Sequence, residues 1–419
     1  LNRSLAGEEN RKTLRIIKKQ IPISILEYKS GTKVFDWTVP REWKIKEAWI
    51  KDKKGNKIVN LKNNNLHVPS YSNKVNKTLK GTELTKKLYF NKSIPNSIPY
   101  RTIYYKNDWG FCLSYTDFLS KIKRNEKYHV FIDSEFKDGS MSLGELVIKG
   151  KSEQEVLISS YICHPSLAND SLSGVVLSII LAKYLYQKKN QLKRSYRFLF
   201  LPETIGPIAY ISKNIKILKN VLCGLVITTV GGPGKFSYKK SFEKNYFLNN
   251  LISSSLDKFS SDYITYDFDI YGSDERQYSS PGVRINTASI FKDRYYDYEF
   301  YHTSFDDLKF VNANNILKSL EIYLYVLNKL DTTITFKTKF GGGEPKLGKY
   351  GLYNKLGGAF NPSRPEYESD LHVIKWLLFY CDGKTPLSEI AVKSQIKEKD
   401  ILSMSLKLKK QKLIDIYGL

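Results

Sequence analysis

The sequence predicts an α/β protein built on a mostly parallel mixed sheet, with an inserted β-rich domain and a small helical module at the C-terminus. Three observations carry the prediction. Over residues 144–232 apolar strand runs alternate with helical runs, the order of a parallel sheet with helices on its faces. Residues 36–128 are instead turn-rich, with short β-like segments. Beyond a glycine-rich joint at 340–353 the pattern changes again, to short helices and a terminal strand.

The elements follow in order. NRKTLRIIKKQIPISIL (10–26) carries apolar positions at helical spacing and predicts a short amphipathic helix. EAWIKDKKGNKIVNL (47–61) places apolar segments on either side of a Lys-Lys-Gly-Asn turn, a hairpin signal. GELVIKG (144–150) and EVLISSYICHP (155–165) read as strands, SGVVLSIILAKYLYQ (173–187) as a helix and YRFLFLPETIG (196–206) as a strand. AYISKNIKILKN (209–220) reads as a helix and CGLVITTVGG (223–232) as a further strand. At the end, DLHVIKWLLFYCDG (370–383), TPLSEIAVKS (385–394) and KDILSMSLKLKKQKLIDIYG (399–418) read as three helices and a closing strand, the order of a winged helix. The expected domains are therefore 1–35 with 129–340 for the α/β unit, 36–128 for the insertion and 345–419 for the winged-helix-like module.

Composition narrows the function. With 419 residues there is ample chain for more than one core. The 67 basic residues against 42 acidic ones leave a formal charge of +25. Lysine is spread along the whole chain, so the excess reads as a solvated basic surface, and nucleic acid is not the expected partner. Cys112, Cys163, Cys223 and Cys381 form no CxxC pair, and no charged-then-apolar leader opens the chain. Free thiols in a cytoplasmic protein are expected. No apolar run approaches the roughly 18 residues of a membrane span. Self-association into a homo-oligomer is left open.

The chemistry concentrates at predicted strand ends, where ligands gather in such sheets. SSYICHPSLANDSLSG (159–174) offers His164 and Asp170, PETIG offers Glu203, and EFYHTSFDD (299–307) offers His302. Two imidazoles and a carboxylate are ligand types that zinc prefers, and a nearby glutamate outside the shell can take a proton from water. Against this, His164 before Pro165 also reads as a plain turn residue. GSDERQY adds Asp274 and Glu275 as alternative bases, or as a surface turn, and Tyr278 as a donor to a developing oxyanion. Asp36 with Trp37, and Asp108 with Trp109, are acid–aromatic pairs suited to packing or to shaping a site entrance. His67, His129 and His372 read as structural.

At these residues a resemblance emerges. CHPSLANDSLSG resembles the aspartate loop of zinc aminopeptidases of the phosphorylase/hydrolase-like α/β class, PETIG their Glu-Glu-x-Gly loop, and YHTSFDD their last histidine loop. FDWTVPREW, YYKNDWGFCLS, GSDERQYSSPGV and EPKLGKYGLY resemble a bacterial aminopeptidase-like family with an inserted β domain and a C-terminal winged helix, often associated with surface-polysaccharide genes. The likeness covers nearly the whole chain. It implies His164, Asp170 and His302 as metal ligands and Glu203 as general base. Two positions depart from the pattern: Thr204 stands where the second glutamate ligand is expected, and Thr228 where an aspartate ligand is expected. A hydroxyl is a poor zinc ligand beside a carboxylate, so one zinc per chain is expected.

The leading expectation is a zinc-dependent hydrolase cleaving an amide or peptide bond of a peptide or small molecule, through metal-activated water with Glu203 as base. Two alternatives stand beside it. One is amide hydrolysis or acyl transfer in surface-polysaccharide biosynthesis, as single-zinc members such as glutaminyl cyclases illustrate for the fold. The other is a catalytically idle binding or scaffold protein.

Overall fold

The computed structural model describes residues 1–260, 262–353 and 370–419; part of the region assigned to the winged-helix-like module, 354–369, lies outside them. Its centre is an eight-stranded mixed sheet. In spatial order the strands are Ser24–Lys29, Ser140–Ile148, Ser195–Leu201, Glu155–Tyr161, Val221–Val226, Thr287–Phe291, Phe236–Lys239 and Tyr263–Tyr266. The four strands from Ser195–Leu201 to Thr287–Phe291 are mutually parallel, whereas Ser24–Lys29 and Ser140–Ile148 pair antiparallel at one side.

The central strands are largely apolar on both faces because both are covered, and the charged exception, Glu155 with Arg197, is a buried ion pair at 2.6 Å. Along Ser195–Leu201, Tyr196, Phe198 and Phe200 join the core under helices Glu8–Lys18, Gly174–Gln187, Phe247–Phe259 and Ala313–Thr332, while Leu199 and Leu201 join the opposite core under helix Ile205–Leu218. Phe198 and Phe200 are fully buried, and burial of each such ring stabilises the fold by about 1.5–3 kcal/mol.

Two expected boundaries move. The helix expected over 10–26 ends at Lys18, and Ser24–Lys29 becomes the edge strand. Pro22 explains the break: it has no N–H to donate and disfavours helical geometry before it. The strand Lys127–Lys137, divided at 128/129 in the expected partition, runs unbroken. It lies inside an antiparallel sheet of order Lys57–Asn60, Glu42–Lys51, Lys127–Lys137, Val75–Lys80, over a core that includes Trp43, Ile50, Phe111 and Val130. The hairpin expected at 47–61 is the Glu42–Lys51 and Lys57–Asn60 pair, and Gly55 supplies the positive φ of its turn.

At the C-terminus helices Asp370–Phe379, Leu387–Ser394 and Glu398–Lys410 pack with a three-stranded sheet. Its middle strand, Thr335–Thr338, precedes the glycine-rich joint and pairs with both Asp382–Pro386 and Ile414–Tyr417. The module's sheet thus begins upstream of the expected start at 345. Among the described residues no helix is long and apolar enough to cross a membrane.

Candidate metal centre and catalytic cleft

The parallel strands deliver the predicted residues to one place. Glu155–Tyr161 leads into His164, then into a turn at Ala168–Ser173 that carries Asp170 and opens helix Gly174–Gln187. That turn is fixed by Asp306, whose carboxylate accepts the backbone N–H groups of Asn169 (2.5 Å) and Asp170 (2.9 Å) and the Tyr298 hydroxyl (2.8 Å). One oxygen of Asp170, Oδ1, accepts the hydroxyl of Tyr161, whose own oxygen lies 2.8 Å from Thr228 Oγ1. The other, Oδ2, faces His302 Nε2 at 3.0 Å.

Candidate ligand atoms of His164, Asp170 and His302 all lie within 4.8 Å of one another. Asp170 Oδ2 and His302 Nε2 approach without hydrogen-bond alignment, and neither buried atom has a hydrogen-bond partner. Buried polar atoms are rarely left so. A cation between them would satisfy both, and N and O donors of this kind suit zinc. The residues therefore fit a metal ion. Electrostatics agree: burial lowers the His164 imidazole to about 4, which leaves it neutral and able to donate a lone pair. Burial alone would raise Asp170, but the facing imidazoles and the Tyr161 hydroxyl outweigh it and hold the carboxyl at about 2.

Glu203 follows strand Ser195–Leu201, its Oε2 3.8 Å from His164 Nε2, and its side chain keeps 27% exposure at the base of a cleft. Despite that exposure, desolvation by the surrounding protein, reinforced by the charges of Asp274 and Asp170, raises its carboxyl above the usual range in the metal-free site. Thr204, next to it, takes a positive φ of 64° before helix Ile205–Leu218, a strained conformation for a β-branched residue. Asp274 stabilises that turn by accepting the Thr204 N–H at 2.7 Å.

A sequence-family profile described as "Domain of unknown function (DUF4910)" matches residues 1–333, and one described as "winged helix-turn-helix" matches 334–416. The chain belongs to the DUF4910 family. A relative from Clostridium acetobutylicum, provisionally named a polysaccharide biosynthesis protein with aminopeptidase-like domain, is 43% identical over 392 residues, 94% of this chain and 88% of the relative. A crystal structure from Clostridium acetobutylicum, provisionally named a peptidase, superposes with a TM-score of 0.77 at 40% identity, covering 99% of this chain and 93% of that one. A zinc aminopeptidase from Bacillus subtilis shares the fold at 12% identity, with a TM-score of 0.56 over 78% of this chain and 90% of its own. The DUF4910 chain thus has the aminopeptidase-like α/β fold with a C-terminal winged helix.

Two sequence-predicted roles do not survive in this DUF4910 structure. Tyr278 is fully buried with its hydroxyl 2.9 Å from Ser159 Oγ, and it does not line the cleft, so it cannot serve an oxyanion there. Asp274 is 1% exposed and bonded behind the Thr204 turn, where burial raises it to about 7; it holds a loop and does not face the cleft as a base. Glu275, the other alternative, is also fully buried, bonded to Ser289 and Tyr295.

The structure also supplies neighbours that spacing could not reveal. Tyr100, from the inserted region, sets its ring edge-on to both His164 and His302 at 5.0 Å, and its N–H donates to the His302 carbonyl at 2.7 Å. Tyr301 stacks on His302 at 3.9 Å. Of the acid–aromatic pairs, Trp37 lines the cleft, whereas Asp108 pairs with Lys87 and Trp109 is core. His67 is buried against the Cys112 carbonyl, and His129 meets Asn76 and Trp49.

Proposed function

We propose that this DUF4910 chain is a metal-dependent amide hydrolase, with His164, Asp170 and His302 holding one zinc ion and Glu203 acting as general base. The observation that carries this reading is the convergence of three metal-ligand side chains, two of them with otherwise orphaned buried atoms, with the Glu203 carboxylate 3.8 Å from the His164 imidazole. Bound zinc would supply Lewis acidity to the carbonyl and make water a better nucleophile.

The chain's own residues do the rest. Tyr161 and Asp306 hold Asp170 in one orientation, as partners outside the ligand shell commonly do. Glu203 reaches the cleft, takes a proton from the attacking water and returns it to the leaving amine. Thr228 supports a single ion, since its hydroxyl is engaged with Tyr161 and cannot replace a carboxylate ligand. The relative's provisional name supports a substrate met in polysaccharide assembly. Four free, buried cysteines support the reducing, cytoplasmic setting.

The test compares two substitutions. Glu203→Gln leaves the ligands intact, so it should keep zinc yet lose at least ~100-fold in amide hydrolysis, the scale of a removed general base. Asp170→Asn should lose metal and activity together. If Glu203→Gln strips the metal as Asp170→Asn does, Glu203 is a ligand; if it leaves hydrolysis unchanged, the mechanism fails.

A further inference from the structure

The cleft above the metal ligands has a chemistry of its own. It encloses about 220 Å³, below the roughly 300–1,000 Å³ of pockets for drug-sized ligands, so it has room for one residue-sized group. Much of its wall comes from the region 36–128: Trp37, Tyr100, Thr102, Tyr104 and Tyr105. Tyr100 closes the inner end over the two imidazoles, and its hydroxyl lies 3.4 Å from that of Tyr104. At the mouth Trp37 is 37% exposed and Tyr105 80% exposed, their rings edge to face at 6.4 Å. Large rings left in water around a concave site mark a surface that a ligand covers.

Three features select the ligand. The rings offer flat apolar faces, which suit the C–H faces of a pyranose. Their hydroxyls, with those of Thr102 and Thr204, offer donors and acceptors around those faces, as a polyol needs and an aliphatic side chain does not. Among the described lining residues there is no Lys or Arg, and Glu203 is the one acid apart from the metal ligands. Arg3, 5% exposed, donates to the His164 carbonyl and does not line the cleft, so an anionic substrate would meet only the metal there. The free ammonium of a peptide substrate would have to share Glu203 with the proton transfer.

Resting on the proposed hydrolase, we infer that the substrate is a neutral N-acylated amino sugar, with its ring held by Trp37 and Tyr105 and its amide directed to His164, Asp170 and His302. Water adds its oxygen to the acyl carbon, the C–N bond breaks, and the nitrogen leaves with the proton passed on by Glu203. The products are a carboxylate and an amino sugar, and no co-reactant beyond water is needed. The inserted region is then the specificity wall of the site.

The test is binding, which requires no turnover. Methyl glycosides of N-acetylglucosamine, N-acetylgalactosamine and N-acetylmannosamine, with leucinamide as the peptide-like probe, are titrated against the full chain by saturation-transfer NMR and tryptophan fluorescence. At least one glycoside should bind with saturation on its ring C–H protons, and Trp37→Ala and Tyr105→Ala should each weaken it about 5- to 10-fold, the scale of an aromatic contact. Both positions are exposed, so folding should persist, and circular dichroism checks it. Binding of leucinamide without any glycoside, binding that ignores both substitutions, or no binding at all overturns the inference. A glycoside that binds through these rings but keeps its acetyl group in the zinc-loaded protein leaves the amino-sugar binding site standing and refutes the hydrolase reading, and with it the cleavage step.

Discussion

Gly174→Ala probes how tightly the metal loop is set. Gly174 begins the helix behind Asp170, and a Cβ built there would lie 2.1 Å from Ile227 O, 2.6 Å from Ile227 C and 2.8 Å from Thr228 Cα. All three are backbone atoms, so no rotamer relieves the clash. An ordinary contact begins at 3.4 Å, and the helix start and the strand end must therefore part by about 1 Å. Overpacking of this kind costs about 1–3 kcal/mol, and the rigid partner places this case at the upper end. A loss of ~3 kcal/mol should lower Tm by several degrees. The same shift carries Asp170, now 3.0 Å from His302, out of register with the imidazoles. Thermal unfolding with and without added zinc reads both effects: the variant should melt lower and lose most of the zinc-induced rise in Tm. A variant that melts with the parent chain and shows the same zinc response would refute the reasoning.

Other outcomes follow from particular contacts. Tyr161→Phe strands Asp170 Oδ1 and Thr228 Oγ1 in a buried site, which should cost about 2–4 kcal/mol in chemical denaturation and weaken zinc binding; an unchanged midpoint would contradict it. Asp274 keeps its proton to about pH 7 when folded, because it is buried, while the unfolded chain releases it near 4. Its contribution therefore lowers stability as pH rises across that window, and the Tm of Asp274→Asn relative to the parent should climb between pH 4 and 7. A constant difference would count against the assignment. For the winged helix, random duplex DNA should show no measurable binding at physiological ionic strength; tight binding with a steep log-log salt slope would show a nucleic-acid surface.

What is legible in the sequence tracks how local its cause is. The run from 144 to 232 announces its strands and helices because a strand covered on both faces is mostly apolar, as Glu155–Tyr161 and Ser195–Leu201 are apart from three serines and the buried Glu155–Arg197 ion pair. His164, Asp170, Glu203 and His302 stand out because each lies in a short motif at a strand end or loop, and the sheet brings those segments together. Tyr278 misleads because an exposed hydroxyl and one bonded to Ser159 look alike in a sequence. Asp274 misleads for a related reason: its partner, the Thr204 N–H, is a backbone group made available by an unusual φ. The helix at 10–26 is overextended because the apolar positions of ISIL continue the helical count past Pro22, while pairing to Ser140–Ile148 decides the outcome. Tyr100 is silent in the sequence, since its approach to both histidines depends on how the inserted region folds back over the sheet.

The metal itself is the most direct measurement. Protein purified with neither added metal nor chelator, analysed by plasma mass spectrometry, should carry about one zinc per chain, and Asp170→Asn and His302→Ala should each carry far less. Two tightly held zinc ions per chain, or full zinc retention in either variant, would contradict a single centre built from His164, Asp170 and His302.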